Sequence, residues 1–97
     1  MSKEDNIKNF VISYISKTIN EKKDQIKLTS KINDFPNWDS ISHINIILGI
    51  SKRFNIKVSS SKYFELNNVK KIIDFFIKKY NENIILNRLA WLTKNFS

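Results

Sequence analysis

Cysteine is absent from the 97 residues, and glycine and proline occur once each, as does histidine. Without cysteine there is no disulfide, no thiol nucleophile and no thiolate metal site, which suits a reducing compartment. A lone histidine cannot build a multi-histidine metal centre within one chain. A lone glycine excludes the glycine-rich loops that cradle phosphates. The longest apolar run, Ile46 to Ile50, is far too short to cross a bilayer. The opening "MSKEDNIKNF" has no apolar core of a signal peptide. These absences predict a cytoplasmic chain with no transmembrane segment and no metal site.

What is present is enough for one domain. Hydrophobic residues make up 41%, too many for a disordered chain and sufficient for a single core. The net charge is +8, and it is uneven. Residues 1–39 carry seven Lys and six acids, whereas residues 40–97 carry ten Lys or Arg and three acids. A basic half suits nucleic acid, an anionic membrane or an acidic protein partner, and equally a solvated lysine surface.

Apolar spacing predicts an all-α fold. Ile7, Phe10, Val11, Tyr14 and Ile15 form one helical stripe that fades near Asn20. Residues 20–38 lack a clear period, but their apolar residues suit a long loop packed over the core. Pro36 fixes its own φ and biases Phe35 away from helix. A second helix is expected from Ser40 to Phe54, with two apolar sectors about a third of a turn apart. Ile46, Ile47, Ile50 and Phe54 make one sector, and Ile41, Ile44 and Leu48 the other. One sector faces the core, and the second is a candidate partner site. Gly49 costs about 1 kcal/mol against Ala in mid-helix and permits a close approach. After a connector with a helical turn near Ser61–Phe64, Val69, Ile72, Ile73, Phe76 and Tyr80 define a further buried stripe. Ile85, Leu89, Leu92 and Phe96 keep helical spacing beyond Asn81. They predict an additional amphipathic helix over 83–96, which would cover the bundle, form a dimer seam, or meet a membrane or enzyme.

Catalytic chemistry finds little support, and no catalytic residue is assigned. Asp34 and Asp39 flank a proline loop, where turn formation and capping account for them. Ser40 and His43 lie one turn apart, but no oriented base or oxyanion hole accompanies them. His43 falls near the core-facing sector, as a packing histidine would.

Asp39 and Ser40 stand at the start of the second helix. Either could cap it by accepting from an unpaired backbone N–H, worth about 1 kcal/mol. A serine there also points its hydroxyl to solvent at the positive end of the helix dipole. A phosphodiester attached to it would be favoured. A flexible prosthetic arm would bring the thiol that this chain lacks.

In its order of elements the chain resembles the acyl carrier proteins over about residues 5–80. The likeness rests on a first helix, a long packed loop, Asp39-Ser40-Ile41 opening the second helix, "HINIILGISKRFNIKV" along it, and "NVKKIIDFFIKKY" as the final helix. The resemblance implies a four-helix bundle with a short third helix near Ser61–Phe64. Residues 1–80 would be the carrier domain and 81–97 a C-terminal extension. It further implies that a phosphopantetheinyl transferase loads Ser40 with 4′-phosphopantetheine from coenzyme A. The arm would hold an acyl or aminoacyl group as a thioester, supplied by a loading enzyme and consumed by a downstream transferase. Ile41, Ile44 and Leu48 would be the exposed recognition patch.

Two departures stand out. Family members commonly have glycine where this chain has Asn37, followed by Trp38. Fatty-acid carriers have an acidic second helix, whereas this one has Asn45, Ser51, Lys52 and Arg53 and no acid after Asp39. Charge complementarity governs encounter and partner choice, so Lys52 and Arg53 imply partners with neutral or acidic docking surfaces. The "WDSISHINII" wording is similar to stand-alone carriers of specialised acyl, aminoacyl or surface-glycan biosynthesis. The competing reading is a basic helical module for nucleic acid or protein, without a prosthetic group. The lysines are spread over several helix faces and no reading-helix motif is present, so nucleic acid is not expected. The chain is expected to be a monomer, or a weak dimer through 83–96.

Overall fold

The computed structural model describes residues 2–96, apart from the side chain of Phe96, and every long element is helical. Helix α1 spans Lys3–Ile19, α2 Ser40–Phe54 and α3 Val69–Phe96. Single 3₁₀ turns at Lys23–Gln25 and Ser60–Lys62 punctuate the two connectors. The expected short third helix is thus reduced to the second of these turns.

Each helix end has a local cause. Ser2 Oγ accepts from the Asp5 N–H to cap α1, with Glu4 and Asp5 in the first turn, where the helix dipole favours acids. With a single glycine in the chain, asparagine fills the left-handed positions. Asn20 (φ 57°) stops α1 and Asn55 (φ 53°) stops α2, a conformation that asparagine tolerates better than other side-chain-bearing residues. The N–H groups of Glu21 and Ile56 then close back onto the Ser16 and Ser51 carbonyls at 3.0 Å.

The core lies between the three helices. Ile7, Val11, Ile15 and Ile19 from α1 meet Ile46, Ile47 and Ile50 from α2 and Val69, Ile72 and Phe76 from α3. The α1 stripe expected from spacing is therefore the buried one, with Phe10 and Tyr14 packed at its edge. Gly49 performs the expected close approach, since a Cβ there would lie 2.1 Å from the Tyr14 hydroxyl.

The long connector packs down as its apolar residues suggest. Ile26 and Trp38 are buried in the core, and Ile32 and Phe35 lie against it. Its backbone also serves the start of α3. The Ser30 and Leu28 carbonyls accept from the N–H groups of Val69 and Lys70 at 2.9 and 3.0 Å, two donors that a helix leaves unpaired at its start. Lys31 and Asn68 form an isolated antiparallel bridge.

The C-terminal segment departs from expectation. Residues 83–96 do not form a separate helix but continue α3 without interruption. Asn81, Glu82 and Asn83 make the segment polar, yet none of them breaks a helix as Gly or Pro would. Helix α3 has 28 residues, a length of about 42 Å, and the molecule measures 55 × 31 × 18 Å. No helix among the described residues is long and apolar enough to cross a membrane.

Candidate functional site

The site forms where the long connector enters α2. Asp39 is the N-cap residue. Its Oδ1 accepts from the Ser42 N–H at 2.8 Å, while its carbonyl accepts from the His43 N–H at 2.9 Å. The hydrogen bond from the Ser42 backbone holds the Asp39 carboxyl below its ordinary pKa, so it stays ionised beside the positive end of the helix. Ser40, the first residue of α2, is thereby released from capping. It is exposed, and its hydroxyl enters no hydrogen bond among the described residues.

The residues before Ser40 are held from two sides. Asn37 donates from Nδ2 to the Ile19 carbonyl at 3.2 Å and ties the connector to the end of α1. Trp38 is fully buried, and its Nε1–H donates to His43 Nδ1 at 3.1 Å. His43 Nε2 lies 2.8 Å from the Tyr63 carbonyl. A neutral ring with its proton on Nε2 satisfies both bonds, accepting from Trp38 and donating to Tyr63. Burial pushes the His43 pKa below its ordinary value, against the opposing hydrogen bonds of the Tyr63 and Leu66 backbone. The imidazole also stacks on Trp38, with centroids 6.1 Å apart, and lies 5.6 Å from the ring of Phe64. Both ring nitrogens are thus engaged, which suits the packing role expected for His43 and not a base acting on Ser40.

This Trp38–His43–Tyr63 chain was not read from the sequence. The available signal was His43 itself, the one strongly polar side chain on the core-facing sector, because a buried polar group needs partners. A tryptophan five residues earlier was the nearest donor.

Along α2 the two sectors separate as expected. Ile46, Ile47 and Ile50 are buried, and Phe54 packs at the core edge. Ile41 is 72% exposed and Leu48 39%, while Ile44 between them is only half-buried to solvent. The exposed stripe is therefore carried mainly by Ile41 and Leu48. From Ser40 to Phe64 the chain has four cations and no acid. Lys52 joins Leu48, Ile56, Lys57 and Tyr63 around a surface cavity of about 330 Å³. Arg53 turns elsewhere. Its guanidinium lies 5.5 and 5.4 Å from the ring centroids of Phe10 and Phe54, a cation–π clasp across α1 and α2. The described residues hold no group of three metal-ligating side chains.

The arrangement defines a class: a small helical bundle that presents a capped helix start, a free serine hydroxyl and an apolar stripe beside it. No protein-family model matches the chain. Curated relatives do. An acyl carrier protein of Buchnera aphidicola subsp. Schizaphis graminum is 30% identical over 74 residues, covering 76% of this chain and 94% of the relative. One from Chlorobium phaeobacteroides is 29% identical over 76 residues, with 78% and 97% covered. Another, from Cyanidium caldarium, is 27% identical over 81 residues, with 84% and 93% covered. The chain belongs to the acyl carrier protein family, and its relatives support a carrier role.

Proposed function

We propose that Ser40 is the attachment point of 4′-phosphopantetheine and that the chain carries an acyl or aminoacyl group for a dedicated biosynthetic pathway. The observation that carries this reading is the division of labour at the start of α2. Asp39 caps the helix and leaves the Ser40 hydroxyl exposed and unbonded. The local geometry fits a phosphodiester, which would sit at the positive end of a 15-residue helix whose first turn contains no acid,. Loading by a phosphopantetheinyl transferase joins the Ser40 Oγ to the phosphate of the arm. The hydroxyl proton is lost and the adenosine bisphosphate half of coenzyme A leaves. Once attached, the arm supplies a thiol for thioester formation.

In this reading residues 1–80 are the carrier domain and 81–97 an extension, and the location is cytoplasmic. Ile41, Ile44 and Leu48 meet the loading enzyme and the downstream transferase, and Lys52 beside them favours partners with neutral or acidic surfaces, while Arg53, held over Phe10 and Phe54, adds only to the overall positive charge. The acid-free stretch from Ser40 to Phe64 supports that selection.

The test is an intact-mass measurement after incubation with coenzyme A and a broad-specificity phosphopantetheinyl transferase. One phosphopantetheine should be gained, and Ser40→Ala should gain none. No gain with any of several transferases refutes the assignment.

A further inference from the structure

Helix α3 changes its apolar face partway along. In the bundle its buried residues are Val69, Ile72, Ile73 and Phe76. Beyond Glu82, Ile85, Leu89 and Leu92 share a stripe that lies about 180° round the helix from that core-facing side. The tail stripe therefore points away from the chain's own core. Ile85, Leu86, Leu89 and Leu92 are 57, 61, 54 and 44% exposed. Together they present on the order of 400 Å² of apolar surface, within the range of the largest patch on a monomer, whereas Trp91, also exposed, lies on the opposite side of the helix.

We infer that residues 83–96 are an interfacial helix that lies on an anionic membrane surface. Three features favour lipid over a second copy of this chain. First, the apolar arc is about 160° wide, because Leu86 and Ala90 extend the stripe beyond Ile85, Leu89 and Leu92, whereas a two-stranded seam is narrower. Second, Arg88 and Lys94 fall about 40° outside the two edges of that arc, where long cationic side chains reach headgroups while their stems stay apolar. Third, no acid follows Glu82, and the chain as a whole carries +8. Two such chains repel, and an anionic surface attracts them.

The remaining polar groups are compatible. Thr93, the one polar residue within the arc, turns its hydroxyl back to the Leu89 carbonyl at 2.9 Å, so it asks nothing of water. Lys71 and Lys78 lie on the same outward side of α3 as the tail stripe and enter no ion pair among the described residues. Asp74 and Glu82 lie on that side too, each paired with a lysine, Lys70 and Lys79, so the outward side of α3 runs from a net basic surface over the bundle to apolar residues along the tail. No stretch of α3 is apolar enough to span a bilayer, which leaves its tail parallel to the surface.

The inference does not rest on Ser40 or its modification, and it is tested on the unmodified full chain. Vesicles of phosphatidylglycerol and of phosphatidylcholine are sedimented with the protein at low and high salt. Tryptophan emission is followed in parallel, in a Trp38→Phe, Trp91→Phe background that carries Ile85→Trp as a reporter within the arc. Sedimentation with the anionic vesicles and a blue shift of the reporter are expected, both reduced at least tenfold in apparent partitioning by Leu89→Asp with Leu92→Asp. These two side chains are exposed, so the thermal melt of the variant should match that of the parent. Absence of binding to anionic vesicles at low salt overturns the inference. So does equal binding to neutral vesicles, undiminished binding by the double variant, or a doubled solution mass without vesicle binding.

Discussion

Helix α3 is one continuous rod in two surroundings. Its first three turns lie against α1 in a dry core, with Val69, Ile72 and Phe76 at 0% exposure. Its last three turns carry side chains of the same kinds at 44–61% exposure. Spacing alone makes both stretches look like buried stripes. The contrast teaches that an apolar helical period records that a partner is needed and not which partner it is. In the bundle α1 and α2 answer the need. Along the tail, nothing within the described chain does.

The largest effect should come from breaking the bundle side. Phe76→Ala empties a fully buried site and should cost about 3–5 kcal/mol, read from urea unfolding followed by helical circular dichroism. Leu89→Ala, on the other side of the comparison, should stay within about 0.5 kcal/mol. Comparable losses for the two would mean that the tail is packed and the contrast false.

Next in size is Gly49→Ala. The added Cβ would lie 2.1 Å from the Tyr14 hydroxyl, so overpacking of about 1–3 kcal/mol opposes a helix-propensity gain of about 1 kcal/mol. A net loss is expected, smaller when Tyr14 is also shortened to Leu, since residues in contact do not act additively. A gain in stability would show that α1 and α2 have room to spare.

A smaller effect sharpens the bundle side by pH. The folded pKa of His43 is lowered, so the unfolded chain takes up its proton first as pH falls. Stability is therefore full above the ordinary histidine pKa of about 6.5 and is lost as pH drops below it toward the folded value. The added proton also removes the acceptor that Trp38 uses. The melting temperature should fall between pH 7.5 and pH 5, with a shift in Trp38 emission, and His43→Gln should flatten that slope. An identical slope in the variant would assign the effect to other groups.

The smallest effect is the most diagnostic. Deleting residues 82–97 should leave the unfolding free energy of the bundle within about 0.5 kcal/mol while removing helical signal, because an isolated helix of this length is marginal. A large loss of stability would show that the tail belongs to the core.

Much of the fold was legible because local chemistry set it. Asp39 marks the start of α2, and the two sectors of that helix separate as their spacing indicates. Ser40 as the candidate attachment site followed from a resemblance in the order of elements, since an Asp-Ser pair alone is an ordinary cap. The least legible parts were contacts between distant segments. Asn37 reads as a substitution for glycine until its amide is found on the Ile19 carbonyl. Trp38 reads as a loop residue until its indole is found on His43. The expected break before residue 83 also misled, because a change of apolar phase resembles a change of element. The backbone continued helical there for want of a glycine or proline to stop it.

The sequence by itself determined that this chain is helical, that its helices start and stop near where they do, and that it owns no thiol. Caps, left-handed asparagines and apolar spacing act within a turn or two of the residue concerned, so their effect needs no knowledge of the fold. Only the tertiary structure decided which stripes are dry, that Asp39 rather than Ser40 makes the cap, that His43 is neutral and fully partnered, and that the apolar face of the tail turns outward. Those outcomes depend on which surfaces meet across the chain, and burial, hydrogen-bond partners and solvent exposure are properties of that meeting.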